Sequence, residues 1–221
     1  MRRLLSALWS SLRLHHFLGL FLALTILPAF AAGLGVAPTL LEFAPNEVAK
    51  GLTLRNTGTT ALRAQVRIFM WQQQDGKEVL TPSTALVASP PFLNIAPGGK
   101  QVLRVIQRGD AGLGAVSGER SFRILIDELP AASVDDLGVG GKLGAQPGLN
   151  FLLRFSVPAF IESPFGETAA KLNLRLQNTE AGVKLTTENT GSGRAQITNL
   201  ALLSSEGRVV YEHKGLVGYL L

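Results

Sequence analysis

The sequence predicts an all-β protein of two consecutive antiparallel β-sandwiches, and three observations carry that expectation. Twenty-four Gly and 11 Pro occur without a short period in a 221-residue chain rich in Val, Leu, Ile and Thr, which suits many short strands joined by turns. Runs of apolar/polar alternation recur at intervals of about 10 residues, each closed by Gly, Pro or Asn. After the first 31 residues no helical pattern competes with them.

Those first residues form a separate class of segment. Met1 to His16 carries Arg2, Arg3 and Arg13 and no acid, and is followed by the apolar run Phe17 to Leu27 and the small-residue pattern Ala29-Phe30-Ala31. Basic n-region, short h-region and A-x-A site in that order are a secretory signal peptide, residues 1–31. A spanning helix would need about 20 apolar residues, and Pro28 breaks this run before that length. The expectation is cleavage and no stable membrane insertion afterwards.

The mature chain then reads strand by strand. Val36 to Phe43 is extended, Asn46 to Gly51 a turn, and Leu52 to Asn56 an alternating strand stopped by Asn56-Thr-Gly58. Leu62 to Trp71 alternates with Leu62, Ala64, Val66, Ile68 and Met70 on one face and Arg63, Gln65, Arg67, Phe69 and Trp71 on the other; Asp75-Gly76 closes it as a hairpin turn. Val79 to Val87 is a looser extended stretch, and Ser89-Pro90-Pro91-Phe92 is a rigid connection. Leu93 to Ile95, the turn Ala96-Pro-Gly-Gly99 and the strand Lys100 to Gln107 follow. Arg120 to Leu129 places Phe122, Ile124 and Ile126 on one face and ends at Pro130.

Ala131 to Gly148, with 5 Gly and one Pro, is the longest irregular stretch, a length that marks function or mobility. Leu149 to Val157 is the most apolar strand, with Phe151, Leu153, Phe155 and Val157 on one face. Such a strand is either buried on both faces or lends one to a partner. Glu162 to Gly166 reads as a linker, giving a first domain at 32–161 and a second at 162–221. The second offers strands at Lys171–Gln177, Val183–Thr187, Ala195–Leu203 and Arg208–Glu212, with Gly215–Leu221 as the start of a fifth, and so reads as a truncated, incomplete sandwich.

Composition excludes several functions. Zero Cys removes disulfides, thiolate metal sites and a cysteine nucleophile. Of three histidines, His15 and His16 leave with the leader, and a lone His213 supports neither a histidine metal site nor a Ser/His/Asp triad. Removing Arg2, Arg3 and Arg13 from 21 basic residues leaves 18 against 16 acids, a net +2, so no nucleic-acid surface is implied. Asp127-Glu128 and Asp135-Asp136 are strand or loop neighbours rather than acid/base couples. Gly138-Val-Gly140-Gly141-Lys142 lacks the strand-loop-helix context of a phosphate cradle. The sequence calls for no enzyme activity, no cofactor and no metal.

What remains is arginine on apolar strands: Arg104, Arg123 and Arg154. Each either projects to solvent or pairs within the chain, with Glu119 or Asp127 as partners, or two of them meet in a cleft and bind an exogenous carboxylate, for which a guanidinium has the bidentate geometry.

Asn56-Thr-Gly, Ser89-Pro-Pro-Phe, Ala96-Pro-Gly-Gly-Lys-Gln-Val-Leu-Arg104, Glu119-Arg-Ser-Phe-Arg-Ile-Leu-Ile-Asp-Glu-Leu-Pro130 and Arg154-Phe-Ser-Val-Pro158 together resemble the PapD-like periplasmic chaperones of pilus assembly, and most closely their archaic, spore coat protein U-associated branch. The similarity covers Val36 to Ile161 and, more faintly, the remainder. It implies a boomerang of two immunoglobulin-like domains in the periplasm. Such a protein binds pilin-type subunits and delivers them to an outer-membrane usher in fimbrium biogenesis. By the same resemblance it lends its last first-domain strand to an incomplete subunit by donor-strand complementation, through Leu149, Phe151 and Leu153, and the loop before them would extend or order on binding. The family also holds the subunit's C-terminal carboxylate with two basic residues. The first strand here carries none, Leu40 standing at the approximate position, so the resemblance assigns the anchor to Arg123, with Arg154 second and Arg104 structural. The alternative is a secreted structural or adhesive surface protein of Ig-like domains; a secreted hydrolase stands third.

Overall fold

A computed structural model describes residues 33–108, 118–130, 152–166 and 168–221. The leader, the glycine-rich loop 131–148, Leu149 and Phe151 lie outside the described residues. Among the described residues every regular element is a strand: β1 (Leu34–Ala37), β2 (Leu41–Phe43), β3 (Ala49–Asn56), β4 (Leu62–Gln74), β5 (Lys77–Pro82), β6 (Leu86–Ser89), β7 (Phe92–Ile95), β8 (Lys100–Gln107), β9 (Arg120–Leu129), β10 (Arg154–Ile161), β11 (Leu172–Thr179), β12 (Gly182–Asn189), β13 (Ala195–Leu203) and β14 (Val209–Leu220).

The first ten build a sandwich. One sheet runs β1-β3-β8-β6, and the other runs β2-β10-β9-β4-β5 with β7 also on β4. Alternation decides what lies between them. Leu52 and Leu54 of β3, Leu103 and Val105 of β8, and Phe122, Ile124 and Ile126 of β9 are fully buried, as the period-2 pattern requires. Each such side chain contributes about 1.5–3 kcal/mol of burial. Leu62, Ala64 and Val66 join this core, and Ile68 and Met70 pack against it.

Two extended stretches of the sequence are each two strands. Val36 to Phe43 divides around Pro38, so that β1 pairs antiparallel with β3 in one sheet while β2 runs parallel to the end of β10 in the other. Val79 to Val87 divides into β5 and β6, which likewise belong to different sheets. In both, the chain crosses between layers where sequence alternation alone shows only continuity. The Asp75-Gly76 pair forms the expected two-residue turn, with φ of 52° and 71°. Two positive φ values define a type I′ hairpin, which fixes Gln74 opposite Lys77 and Gln73 opposite Glu78.

Beyond the turn at 164–166, β11 pairs with β12 and β13 with β14 as two separate two-stranded sheets. The sequence divides the last stretch at Lys214; instead β14 runs through it as one 12-residue strand, absorbing register shifts opposite Ile197/Asn199 and Leu202/Leu203.

Candidate functional site

The face of the second sheet that points away from the core carries the chemistry. Cross-strand rows are set by register: Phe69, Arg123 and Pro158 are neighbours, as are Arg67, Leu125 and Ser156, and Gln65, Asp127 and Arg154. Arg123 and Arg154 therefore share this face, four residues apart along the sheet, or about 13 Å at ~3.3 Å per residue. Different carboxylates engage them. Arg104 is exposed on the other sheet, opposite Gly51 and Ser89.

Asp127 is buried and is held by both Arg154 and Arg67, the latter at 2.7 Å. Burial alone would push its carboxyl up; hydrogen bonds and charge from Arg154 and Arg67 outweigh that and hold it below the usual aspartate range. Arg154 is thus paired inside the chain.

Arg123 sits differently. Its guanidinium lies 3.6 Å from the Trp71 ring centroid, a cation–π stack. Its Nε and Nη2 donate to the same oxygen of Glu78, at 3.2 and 2.7 Å. The Arg123 side chain keeps 18% of its surface exposed and Glu78 keeps 47%. Glu78 reaches it across β4 because the Asp75-Gly76 turn puts Glu78 beside Gln73, one row beyond the Trp71/Leu80 pair.

Trp71, Phe160 and Tyr219 form an aromatic group with centroids 5.5–6.0 Å apart. Arg194, just before β13, stacks 3.8 Å over Phe160 and pairs with Glu119 and Glu42. Gln73 donates to the Tyr219 carbonyl at 2.9 Å and accepts from the Leu221 amide at 3.1 Å. A cavity of about 530 Å³ opens beside this contact, lined in part by Gln73, Arg120, Ser121 and Ser192. Burial lowers the Arg120 pKa from its ordinary value. The buried Trp71 Nε1 has no hydrogen-bond partner among the described residues.

An open backbone edge lies on the same sheet. β10 pairs with β9 from Arg154 to Ile161, yet among the described residues its other side is covered only at Ala159–Ile161, by β2. Leu153 extends the pairing, accepting from the Glu128 amide at 2.8 Å, and with Leu152 it exposes apolar surface. Farther on, Val157, Ala159 and Ile161 belong to the core and Phe155 packs against it. The segment thus runs from solvated leucines into the protein's own core.

Of the residues singled out in the sequence, Arg123 and Arg154 fall on this sheet and Leu153 immediately precedes β10, while Leu149 and Phe151 lie outside the described residues. Trp71, Glu78 and Arg194 were not singled out. A signal existed for Trp71, since a large aromatic stood on the nominally solvent-facing side of an alternating strand. None marked Glu78 or Arg194, whose partners are distant in sequence.

The fold is that of pilus-assembly chaperones. It is similar to a structure from the archaic Csu chaperone-usher pili of Acinetobacter baumannii, a complex of the CsuC chaperone with the tip adhesion subunit CsuE, at 23% identity and TM-score 0.61 over 86% of this chain and 83% of that one. It is also similar to the CupB2 chaperone of Pseudomonas aeruginosa, at 21% identity and TM-score 0.52 over 83% and 82%. A third likeness is to a Salmonella enterica structure of the SafA pilin with the SafB chaperone, at 14% identity and TM-score 0.54 over 84% and 81%. No curated protein matches the chain by sequence. Residues 33–163 match the model of the pili and flagellar-assembly chaperones, PapD N-terminal domain, and the chain belongs to that family. Family membership does not favour the surface-adhesin alternative.

Proposed function

We propose that this protein is a periplasmic chaperone that binds a pilin-type subunit along the open edge of β10, anchors the subunit's C-terminal carboxylate at Arg123, and delivers it to an outer-membrane usher. On this reading residues 1–31 are the export leader, 32–161 the subunit-binding domain and 162–221 the second domain. The observation that carries the reading is the position of the open edge. Arg154–Pro158 has backbone groups with no strand on one side among the described residues, on the same sheet as a partly exposed guanidinium. An added strand would gain main-chain hydrogen bonds there, and alternate side chains of the segment leading into it, Leu149, Phe151 and Leu153, would fill the subunit's groove. Arg123 is the better anchor, with Arg154 second, because Arg154 is committed to the buried Asp127.

Co-expression with a pilin-type subunit and affinity recovery of the complex tests the anchor. Arg123→Ala is expected to reduce recovery at least tenfold while circular dichroism stays unchanged. Undiminished recovery would remove Arg123 from the site.

A further inference from the structure

We infer that Glu78 is a placeholder carboxylate: it occupies Arg123 in the free chaperone and so makes the site selective for a carboxylate that arrives on an extended strand rather than for carboxylates in general. The inference rests on the anchor reading above.

The geometry separates two kinds of arginine partner. Asp127 is buried and held by two arginines, so removing it from Arg154 would leave a desolvated charge. Glu78 is half exposed, on a strand at the sheet edge, and binds with a single oxygen, Oε1. It can rotate into water at little cost, since exposed ion pairs are weak. Arg123 would stay in place when Glu78 leaves, because its guanidinium is stacked on Trp71, itself packed by Phe160 and Tyr219.

Selectivity follows from competition. Glu78 is tethered one hairpin turn away, so its effective concentration at Arg123 is high. A free carboxylate offers Arg123 nothing that Glu78 does not already supply. A ligand with a strand attached adds main-chain hydrogen bonds along β10, and only that surplus displaces Glu78. The type I′ turn at Asp75-Gly76 matters here because it sets the register that brings Glu78 to Arg123.

The test uses the full chain and three probes: an N-acetylated heptapeptide of alternating Val and Thr with a free C-terminal carboxylate, the same peptide as its amide, and acetate. Binding is read from the Trp71 indole N–H resonance, told from that of Trp9 by Trp9→Phe. Glu78→Gln is expected to tighten the acid peptide roughly twofold to fivefold, the range of an exposed ion pair. It should also raise the response to acetate, leave the amide unchanged, and lose both gains when combined with Arg123→Ala. If Arg123→Ala weakens the acid peptide but Glu78→Gln does not tighten it, the placeholder role is overturned and the anchor stands. If acid and amide bind alike in every variant, the anchor reading falls and the placeholder with it.

Discussion

Asn56 carries more of the sandwich than its place in a turn motif suggests. Its side chain is buried, and its Nδ2 donates to the carbonyls of Thr60, Ile95 and Ala96 at 2.7–3.2 Å while Oδ1 accepts from the Gly58 amide at 2.8 Å. The end of β3, the start of β4 and the β7–β8 turn are thereby tied through one amide. Truncation removes the partner of the buried Ile95 carbonyl and of three part-buried backbone groups, and a buried group left unpaired costs about 1–3 kcal/mol if water cannot enter. Asn56→Ala is expected to lower unfolding free energy by about 2 kcal/mol with the urea m-value unchanged. A loss below about 0.5 kcal/mol would mean that water replaces the amide. Arg123 and Arg154 make the complementary point: both are arginines on apolar strands, and their carboxylate partners differ, Glu78 half exposed and Asp127 buried.

At the level of elements, β10 joins two environments in one strand. Val157, Ala159 and Ile161 are fixed in the core, so the register of β10 against β9 is set from its C-terminal end, and Leu153 projects apolar surface without belonging to that core. Leu153→Asp is therefore expected to leave unfolding free energy within about 0.5 kcal/mol of the parent, as for surface substitutions generally. On the proposed function it abolishes subunit recovery; retained recovery would exclude Leu153 from the donor segment. Strands such as β8, β9 and β13 were legible in the sequence to the residue, because alternation and flanking Gly or Pro both mark their ends. The division of Val36 to Phe43 between sheets was not, since a strand that changes layers keeps its alternation. The arginines were legible as candidates because charge on an apolar strand needs a partner. Asp127 was legible as a partner and takes Arg154; Glu78 was not, because Arg123 and Glu78 meet only after β4 and β5 have folded back in register.

Across the whole molecule, Arg194 ties the C-terminal hairpins to the sandwich at Glu42 of β2, Glu119 ahead of β9 and Phe160 of β10. The same clasp carries a pH signature. Burial raises the Glu119 carboxyl above its ordinary value, and the opposing pull of Arg194 does not cancel the shift. Because its folded pKa exceeds the unfolded value of about 4.3, the native state takes up this proton first. Stability from this group consequently grows as pH falls from neutral through the raised pKa. Asp127 acts in the opposite sense: its folded pKa lies below the unfolded value of about 3.9, so its contribution is complete above that value and is lost as pH drops through the folded one. Together they place an optimum in mild acid. Thermal unfolding is expected to show the midpoint rising as pH falls from neutral toward the unfolded glutamate value of about 4.3 and declining below the unfolded aspartate value of about 3.9. Glu119→Gln should flatten the upper limb while sparing the lower one, and Asp127→Asn should do the reverse. An upper limb that survives in Glu119→Gln would mean that another group supplies it and that Glu119 stays ionised beside Arg194 over that range.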